Sequence, residues 1–290
     1  MYAPSFDYYR ARSMADAHQL LAAHPGSKLL AGGHSLLPLL KLRLAAPPAL
    51  IDIGRIPELR GISRQGAVVR IGALTTHAEL AASEELRGAA PALAEAAAMI
   101  GDPAIPDRGT IGGNIAHADP ASDLPTVLMA LDARVVAAGP SGERTIPALE
   151  FVTGFMTTAL ADDEVLIAIE VPASSRGQGS AYEKFSHPAS RYAVLGVAAW
   201  VAVSKGACTS ARVAIGGLLP FSRRANGVER ALTGKAITDD AIAAAAEQIA
   251  ADLGSDATGD IYASAEYRSA MAPVFAKRAV ARAAARATQA

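Results

Sequence analysis

Cysteine is all but missing from this chain of 290 residues: Cys208 is the only one. No internal disulfide can form, and the chain cannot by itself supply the thiolates of an iron–sulfur cluster; the cytoplasm is its natural compartment. The six histidines make no His-x-x-x-His pair and Ser35 sits in no Gly-x-Ser-x-Gly elbow, which argues against a zinc hydrolase and an α/β-hydrolase. An excess of either charge is missing too. With 27 basic against 28 acidic residues, nothing marks a nucleic-acid or anionic-membrane surface, and a small-molecule or protein partner is favoured. No stretch approaches the roughly 20 apolar residues that span a bilayer, and the opening residues lack a basic segment followed by an apolar one. The longest apolar run, residues 192–203, is expected as a buried strand or helix. Gly177-Gln178-Gly179 follows no strand and has no third glycine at the right spacing, so it is no Rossmann fingerprint; Thr233-Gly234-Lys235, followed by Ala236, is no P-loop.

What the chain has in quantity is alanine and other apolar residues, 51% in all, enough for a sizeable core. Its length predicts two domains or one with subdomains. A helix over residues 14–22 behind Ser13, a strand over 28–30, an apolar segment over 36–44 carrying Lys41 and Arg43, and a strand over 50–53 make a first β and α subdomain. A second begins near Leu59: a strand over 67–72, then a helix entered at Thr75-Thr76 with Glu79 answering Thr76 in a capping box. A helix over 89–100 ending at Gly101-Asp102-Pro103, a helix over 124–131 and strands over 134–138 and 164–171 follow. The Ser- and Gly-rich residues 173–179 read as a linker, giving domains 1–175 (subdomains about 1–58 and 59–175) and 176–290. In the latter, β-rich stretches flank a hairpin-like Ser204-Lys205-Gly206-Ala207, and helices are expected over 225–232, 239–253 and 264–285. The fold class is α+β: two α/β subdomains, then a small antiparallel sheet with helices. Lys277, Arg278, Arg282 and Arg286 read as a solvated face on the last helix.

Two glycine-bearing turns stand out, Ala31-Gly32-Gly33-His34-Ser35 and Thr110-Ile111-Gly112-Gly113-Asn114. Paired glycines let backbone N–H groups converge on an anion, so either can cradle a phosphate and the two together a diphosphate. The second opens a loop ending in Asp119-Pro120-Ala121-Ser122-Asp123, which supplies a carboxylate for a sugar or base. Taken singly, each Gly-Gly pair is also satisfied by an ordinary tight turn.

Lys28-Leu29-Leu30-Ala31-Gly32-Gly33-His34-Ser35, together with residues 109–123, resembles the FAD-binding medium subunits of the molybdenum hydroxylases, in particular the carbon monoxide dehydrogenase branch. The resemblance runs along essentially the whole chain, including Thr75-Thr76-His77, Tyr182-Glu183-Lys184-Phe185 and Arg191-Tyr192-Ala193. It implies a PCMH-type FAD-binding domain followed by the C-terminal domain of these flavoproteins. It also implies FAD as the cofactor and electron transfer as the task, with no catalytic residue of the chain's own and no metal. Residues 28–35 match the segment that wraps the diphosphate. In the second segment Thr110 supplies a hydroxyl, Ile111 and Asn114 flank, and Gly112 and Gly113 allow close approach. Asp123 matches a carboxylate that helps hold the cofactor, and Ile100, Leu166 and Lys184 match flavin-contact positions. Lys184 would stand as a cation near the ring, favouring the reduced anionic flavin, and Tyr192 would stack on the isoalloxazine. Each residue has a plainer role as well: Asp123 can cap the helix after it, Leu166 and Tyr192 can be core, Lys184 can be solvated, and His34, His77 and His117 carry no assigned chemistry.

The partners implied are a large molybdopterin subunit and a small [2Fe–2S] subunit, assembled as a dimer of heterotrimers. Quinone, cytochrome or oxygen is favoured as acceptor over NAD, which some family members bind without a Rossmann fingerprint. Cys208 alone argues against the branch that carries a cysteine-rich insertion. Two other classes compete: a free-standing PCMH-type flavin oxidase, which would be active unaided, and a flavin-free scaffold subunit, which would be colourless.

Overall fold

The structure is a computed structural model, and residues 2–101 and 105–289 are described. Near the start, β1 (Asp7–Arg10), β2 (Lys28–Leu30) and β3 (Ala49–Asp52) form a small parallel sheet in the order β1-β3-β2. Helices α1 (Met14–Ala23) and α2 (Leu36–Lys41) make the crossovers. Ser13 caps α1 by accepting from the Asp16 amide at 3.2 Å.

The second sheet is antiparallel throughout. It consists of β4 (Ile62–Gln65), β5 (Val68–Gly72), β6 (Arg134–Gly139), β7 (Gly142–Pro147) and, after the short hairpin β8 (Val152–Gly154) and β9 (Thr157–Thr158), β10 (Val165–Pro172). Its order is β4-β5-β10-β6-β7. Between β5 and β6 lie α3 (His77–Ala82), α4 (Glu84–Ala89), α5 (Pro91–Ala98), α6 (Ile111–His117) and α7 (Asp123–Ala130); α8 (Ala148–Phe151) follows β7. Alternation along β6 shows how the sheet is buried on both faces. Val136 and Ala138 share a core with Ile51 and Ile53 of the first sheet, while Val135 and Ala137 share one with Leu93, Leu124 and Leu128 of the helices.

The third sheet runs β11 (Gln178–Ser186), β12 (Ala193–Ser204), β13 (Ala207–Gly216) and β14 (Arg223–Arg224), all antiparallel neighbours. Helices α9 (Asn226–Leu232), α10 (Asp239–Ala246), α11 (Ile249–Leu253) and α12 (Ala265–Gln289) complete it. Most of β12 is buried on both faces: Leu195, Val197, Ala199 and Val201 pack with Phe275 and Val280 of α12, whereas Ala198 and Trp200 turn to the core of α5 and α7. The apolar run of residues 192–203 is therefore a strand from Ala193 on, covered on both faces as far as Val201, with Tyr192 left outside it. Among the described residues no helix is long and apolar enough to cross a membrane.

Several expectations need correction. The helix expected over 89–100 is α5 and starts only at Pro91: Ala89 closes α4, Ala90 leaves helical geometry (φ −149°), and Pro91 stands at the position where its missing N–H goes unneeded. Its expected stop lies partly outside the described residues. The span 239–253 divides into α10 and α11. Thr110-Ile111-Gly112-Gly113-Asn114 is not a turn into a loop: Thr110 is an N-cap and the rest opens α6. β1 and β4, short and mostly exposed, lacked any alternating signal.

The basic face of α12 also divides. Lys277 and Arg278 are exposed, as expected. Arg282 instead donates to Glu95 at 2.5 Å and also to Glu183, and Arg286 bonds Glu95 and the Ser180 carbonyl. Glu95 lies on α5, so these guanidiniums tie α12 across β11 to the helices of the second sheet. Only the folded chain brings that carboxylate within reach.

Candidate cofactor site

A cleft of about 770 Å³ opens where the first two sheets meet, a size within the roughly 300–1,000 Å³ of small-molecule sites. It is lined by the end of β2 and the turn after it, residues 73–77 and 109–117 in part, the start of β10, and residues 190–192. Lys28, Leu29, Ala31, Gly32, Gly33, His34 and Ser35 all line it; Leu30 lines a smaller cavity of about 350 Å³ that meets the same turn.

The first glycine turn is built for close backbone packing. A Cβ on Gly32 would stand 1.9 Å from the Arg108 carbonyl oxygen, and Gly33 has φ +77°, a region L side chains rarely enter. The amides of residues 32–36 donate to no described protein atom. A run of free N–H groups on a turn with one left-handed residue makes an anion-binding concavity.

The second turn does not repeat this. Its amides are spent: Ile111 donates to the Thr75 carbonyl at 3.0 Å, Gly112 to Ala73 at 2.8 Å, Gly113 to the Thr110 hydroxyl oxygen at 3.2 Å and Asn114 to the Thr110 carbonyl at 2.9 Å. Gly112 is required by the Ala73 strand end, whose Cβ would lie 2.6 Å from any Cβ added there. Ile111 is fully buried core and does not line the cleft. What this segment presents is side-chain chemistry, the Thr110 hydroxyl and Asn114. The Asn114 amide donates to Ser122 at 3.1 Å while its Oδ1 is buried with no partner among the described residues.

Asp123 lines the cleft at the first turn of α7, but both its oxygens are taken. Tyr182 donates to Oδ1 at 2.5 Å and Lys184 to Oδ2 at 2.7 Å. Burial pushes the Asp123 carboxyl up, and the Lys184 charge and the hydrogen bonds from Lys184 and Tyr182 pull it back. Lys184 has no exposed side-chain surface, also bonds the Met99 carbonyl at 3.2 Å, and does not line the cleft. Lys184, expected as a cation at the ring, is held by Asp123 in the wall of the cleft. Tyr182 was not among the expected residues; its signal was the alternation of β11, which puts residues 182 and 184 on one side of the strand.

Ile100 and Leu166 give the cleft apolar surface, Leu166 beside the β10 bulge and buried on its other side. Tyr192 closes the stretch on a loop held by His187 donating to its carbonyl and Arg191 donating to His187, both at 2.8 Å. Burial raises its phenol pKa, and the charges of Asp119 and Asp123 add to that. His77 is a further lining residue that the sequence left without a role; burial, aided by the charge of His34, lowers its pKa to about 4.

These residues fit a flavin dinucleotide. Free amides at 32–36 suit a diphosphate, the orphaned Asn114 Oδ1 suits a hydroxyl donor, and Ile100, Leu166 and Tyr192 suit a flat aromatic ring.

The comparisons with known proteins agree. The family described as the FAD binding domain in molybdopterin dehydrogenase matches residues 4–174, and the CO dehydrogenase flavoprotein C-terminal domain matches residues 180–283. The carbon monoxide dehydrogenase medium chain of Hydrogenophaga pseudoflava is 43% identical, over 97% of both chains. The nicotine 6-hydroxylase medium subunit of Paenarthrobacter nicotinovorans is 35% identical over 98% of this chain and 99% of its own. Among solved structures, carbon monoxide dehydrogenase from Hydrogenophaga pseudoflava superposes with a TM-score of 0.94 at 44% identity, covering 99% of each chain. Quinoline 2-oxidoreductase from Pseudomonas putida 86 gives 0.92 at 31%, again over 99% of each. The chain belongs to the FAD-binding medium subunits of the molybdenum hydroxylases, oxidoreductase components whose cofactor is FAD.

Proposed function

We propose that this chain takes electrons from a small [2Fe–2S] subunit and passes them to an acceptor outside the complex, while the substrate is oxidised on a large molybdopterin subunit. The observation that carries the reading is the run of unpaired amides at residues 32–36 inside a cleft of cofactor size. Bound FAD supplies the capacity to take up and release electrons; the protein positions it and tunes it. Lys28, Leu29, Leu30 and Ala31 lead into the cradle, and Gly32, Gly33, His34 and Ser35 direct their amides onto the diphosphate. Thr110 and Asn114 bind from the facing segment, Gly112 and Gly113 let it approach, and Ile111 anchors it. Ile100, Leu166 and Tyr192 pack on the ring, with Asp123 and Lys184 stiffening the wall beside it.

Residues 1–175 form the cofactor domain and 176–290 the second domain, in a cytoplasmic dimer of heterotrimers. The relatives are named for carbon monoxide, nicotine, caffeine and glyceraldehyde, so the substrate is carbon monoxide or a heteroaromatic or aldehyde recognised by the large subunit. Purifying the chain with its partners tests this. The expected result is one FAD on this chain, molybdenum and iron on the others, and flavin reduction by substrate only when all are present. A chain that stays colourless after reconstitution, or that oxidises an organic substrate unaided, overturns it.

A further inference from the structure

His187 opens the loop between β11 and β12 that ends at Tyr192. The chain must reverse there within a few residues, because Ser186 and Ala193 are already paired across the sheet. It does so without glycine: Arg191 takes φ +58°, the left-handed region that a Cβ makes costly. Pro188 has no N–H, and the amides of Ala189 and Ser190 at the tip need an acceptor. Both donate to one atom, Nδ1 of His187, at 3.2 Å each. The His187 amide donates to the Tyr192 carbonyl, and its own carbonyl accepts from the Arg191 amide, each at 2.8 Å. One residue thus closes the loop with its backbone and fills it with its side chain.

The imidazole is braced from the far side. It meets Tyr262 edge to face, ring centroids 4.6 Å apart. The Tyr262 amide donates to Asp260 at 2.8 Å, and Asp260 is paired at 2.5 Å with the buried Arg268, whose guanidinium also donates to the Val194 and Gly217 carbonyls. The platform under the ring is therefore tied to the first residues of β12. Ala193 is fixed as well, donating to the Ala121 carbonyl at 3.3 Å. Tyr192, between these anchors, lines the cleft with Ser190 and Arg191, whereas His187 does not line it.

Nδ1 can accept amide protons only when it carries none of its own, so the loop fixes the imidazole with its proton on Nε2. Packing on Tyr262 alone would be served by phenylalanine; the two amides need the lone pair. A left-handed residue at the edge of a cleft, kept in place by a neighbouring side chain, is strain held for the sake of where the next residue points.

We propose that His187 is a positioning residue for the flavin, holding Tyr192 at the ring through the lone pair of Nδ1; this rests on the reading that FAD fills the cleft with Tyr192 packed on its ring. His187 acts without touching the cofactor.

The test is an FAD titration of the protein purified with its partners and stripped of flavin, as wild type, His187→Asn, His187→Phe, Tyr192→Leu and the His187→Phe, Tyr192→Leu double variant. Asn offers an acceptor oxygen at the reach of Nδ1, and Phe keeps a ring on Tyr262 without one. FAD binding is expected to be about three- to tenfold weaker in His187→Phe and in Tyr192→Leu, the worth of one aromatic contact, and within about twofold of wild type in His187→Asn. The double variant is expected to bind no more weakly than Tyr192→Leu alone. Flavin fluorescence is expected to be quenched by the stacked phenol in wild type and His187→Asn and brighter in the other three. All are expected to melt with the wild type, since Ala189, Ser190 and Arg191 are exposed.

A His187→Phe variant that binds like wild type, a His187→Asn variant as weak as His187→Phe, or losses that add in the double variant would each overturn the assignment. Melting temperatures that fall in both His187 variants would overturn it too, making the residue a prop of the fold. Tyr192→Leu binding and quenching like wild type would remove Tyr192 from the ring and this inference with it, and wild-type protein that takes up no FAD would sink the reading of the cleft itself.

Discussion

Lys184 donates to Asp123 at 2.7 Å inside the wall of the cleft, and neither side chain keeps more than 5% of its surface in solvent. With the Tyr182 hydroxyl on the other oxygen, the carboxylate is fully engaged before any cofactor arrives. Removing the cation leaves a buried carboxyl with one neutral donor. Lys184→Met is expected to lower stability by about 3–5 kcal/mol in urea unfolding, the usual consequence of breaking a buried pair. Without Lys184 to oppose it, burial pushes the Asp123 carboxyl up, so it is expected to take up a proton and leave the wall as neutral as the pair was; the flavin midpoint of a folded Lys184→Ala protein is then expected to move by less than about 30 mV, about 1.4 kcal/mol for a two-electron couple. A redox titration showing a larger shift would place the charge at the ring after all.

Gly32 meets the Arg108 carbonyl so closely that no side chain fits without moving backbone. Gly32→Ala is expected to lose about 1–3 kcal/mol of stability and most of its bound FAD, since the displaced turn carries the free amides. The flavin-to-protein ratio after purification, beside a denaturation curve, reads both. Full flavin content would show that the cradle does not depend on this contact.

His77 gives the cofactor-free protein a specific pH dependence. In the folded chain it titrates at about 4, in an unfolded chain near 6.5, so between those values the unfolded state holds the extra proton. Stability therefore rises with pH across that window and is unaffected by this group above it. The full span is on the order of 3 kcal/mol. Urea unfolding at pH 4.5 and pH 7 is expected to show a smaller difference for His77→Asn than for wild type; parallel losses would mean that the imidazole is not held neutral.

Glu95 is shared by Arg282 and Arg286 and also accepts from the Tyr182 amide at 3.1 Å. Glu95→Gln is expected to cost about 1–3 kcal/mol, the range for hydrogen bonds to charged groups, with a loss that shrinks as salt rises. Limited proteolysis of α12 should quicken in the same variant. Unchanged cleavage would mean that apolar packing against β11 and β12 holds the helix by itself.

The sequence made the local chemistry plain and hid what the folded chain brings together. Ser13 and the Thr76–Glu79 box were readable because a cap and its partner lie within three residues of each other. The strands of the second sheet with continuous apolar runs, such as β10, were equally plain. The two glycine motifs looked alike, yet only the first keeps its amides free, because the second is consumed by Ala73 and Thr75 about 40 residues away. Lys184 could be matched to a ring contact but not to Asp123, 61 positions earlier, and the guanidiniums of α12 could not show their acid at position 95. His77 sat in a recognisable segment. Only the folded chain shows that its Nδ1 is buried with no partner among the described residues.

Arg282 and Arg286 are translated 187 and 191 positions after Glu95. When α5 leaves the ribosome, the carboxylate at its centre emerges with no guanidinium yet in existence to receive it. It must stay hydrated until the two arginines arrive, although Leu93 on the same helix can already pack with Leu80, Leu124 and Val135. Synthesis order thus leaves the charged tie between α12 and α5 to the end, whereas the described lining of the cleft is complete at Tyr192, in the first two-thirds of the chain.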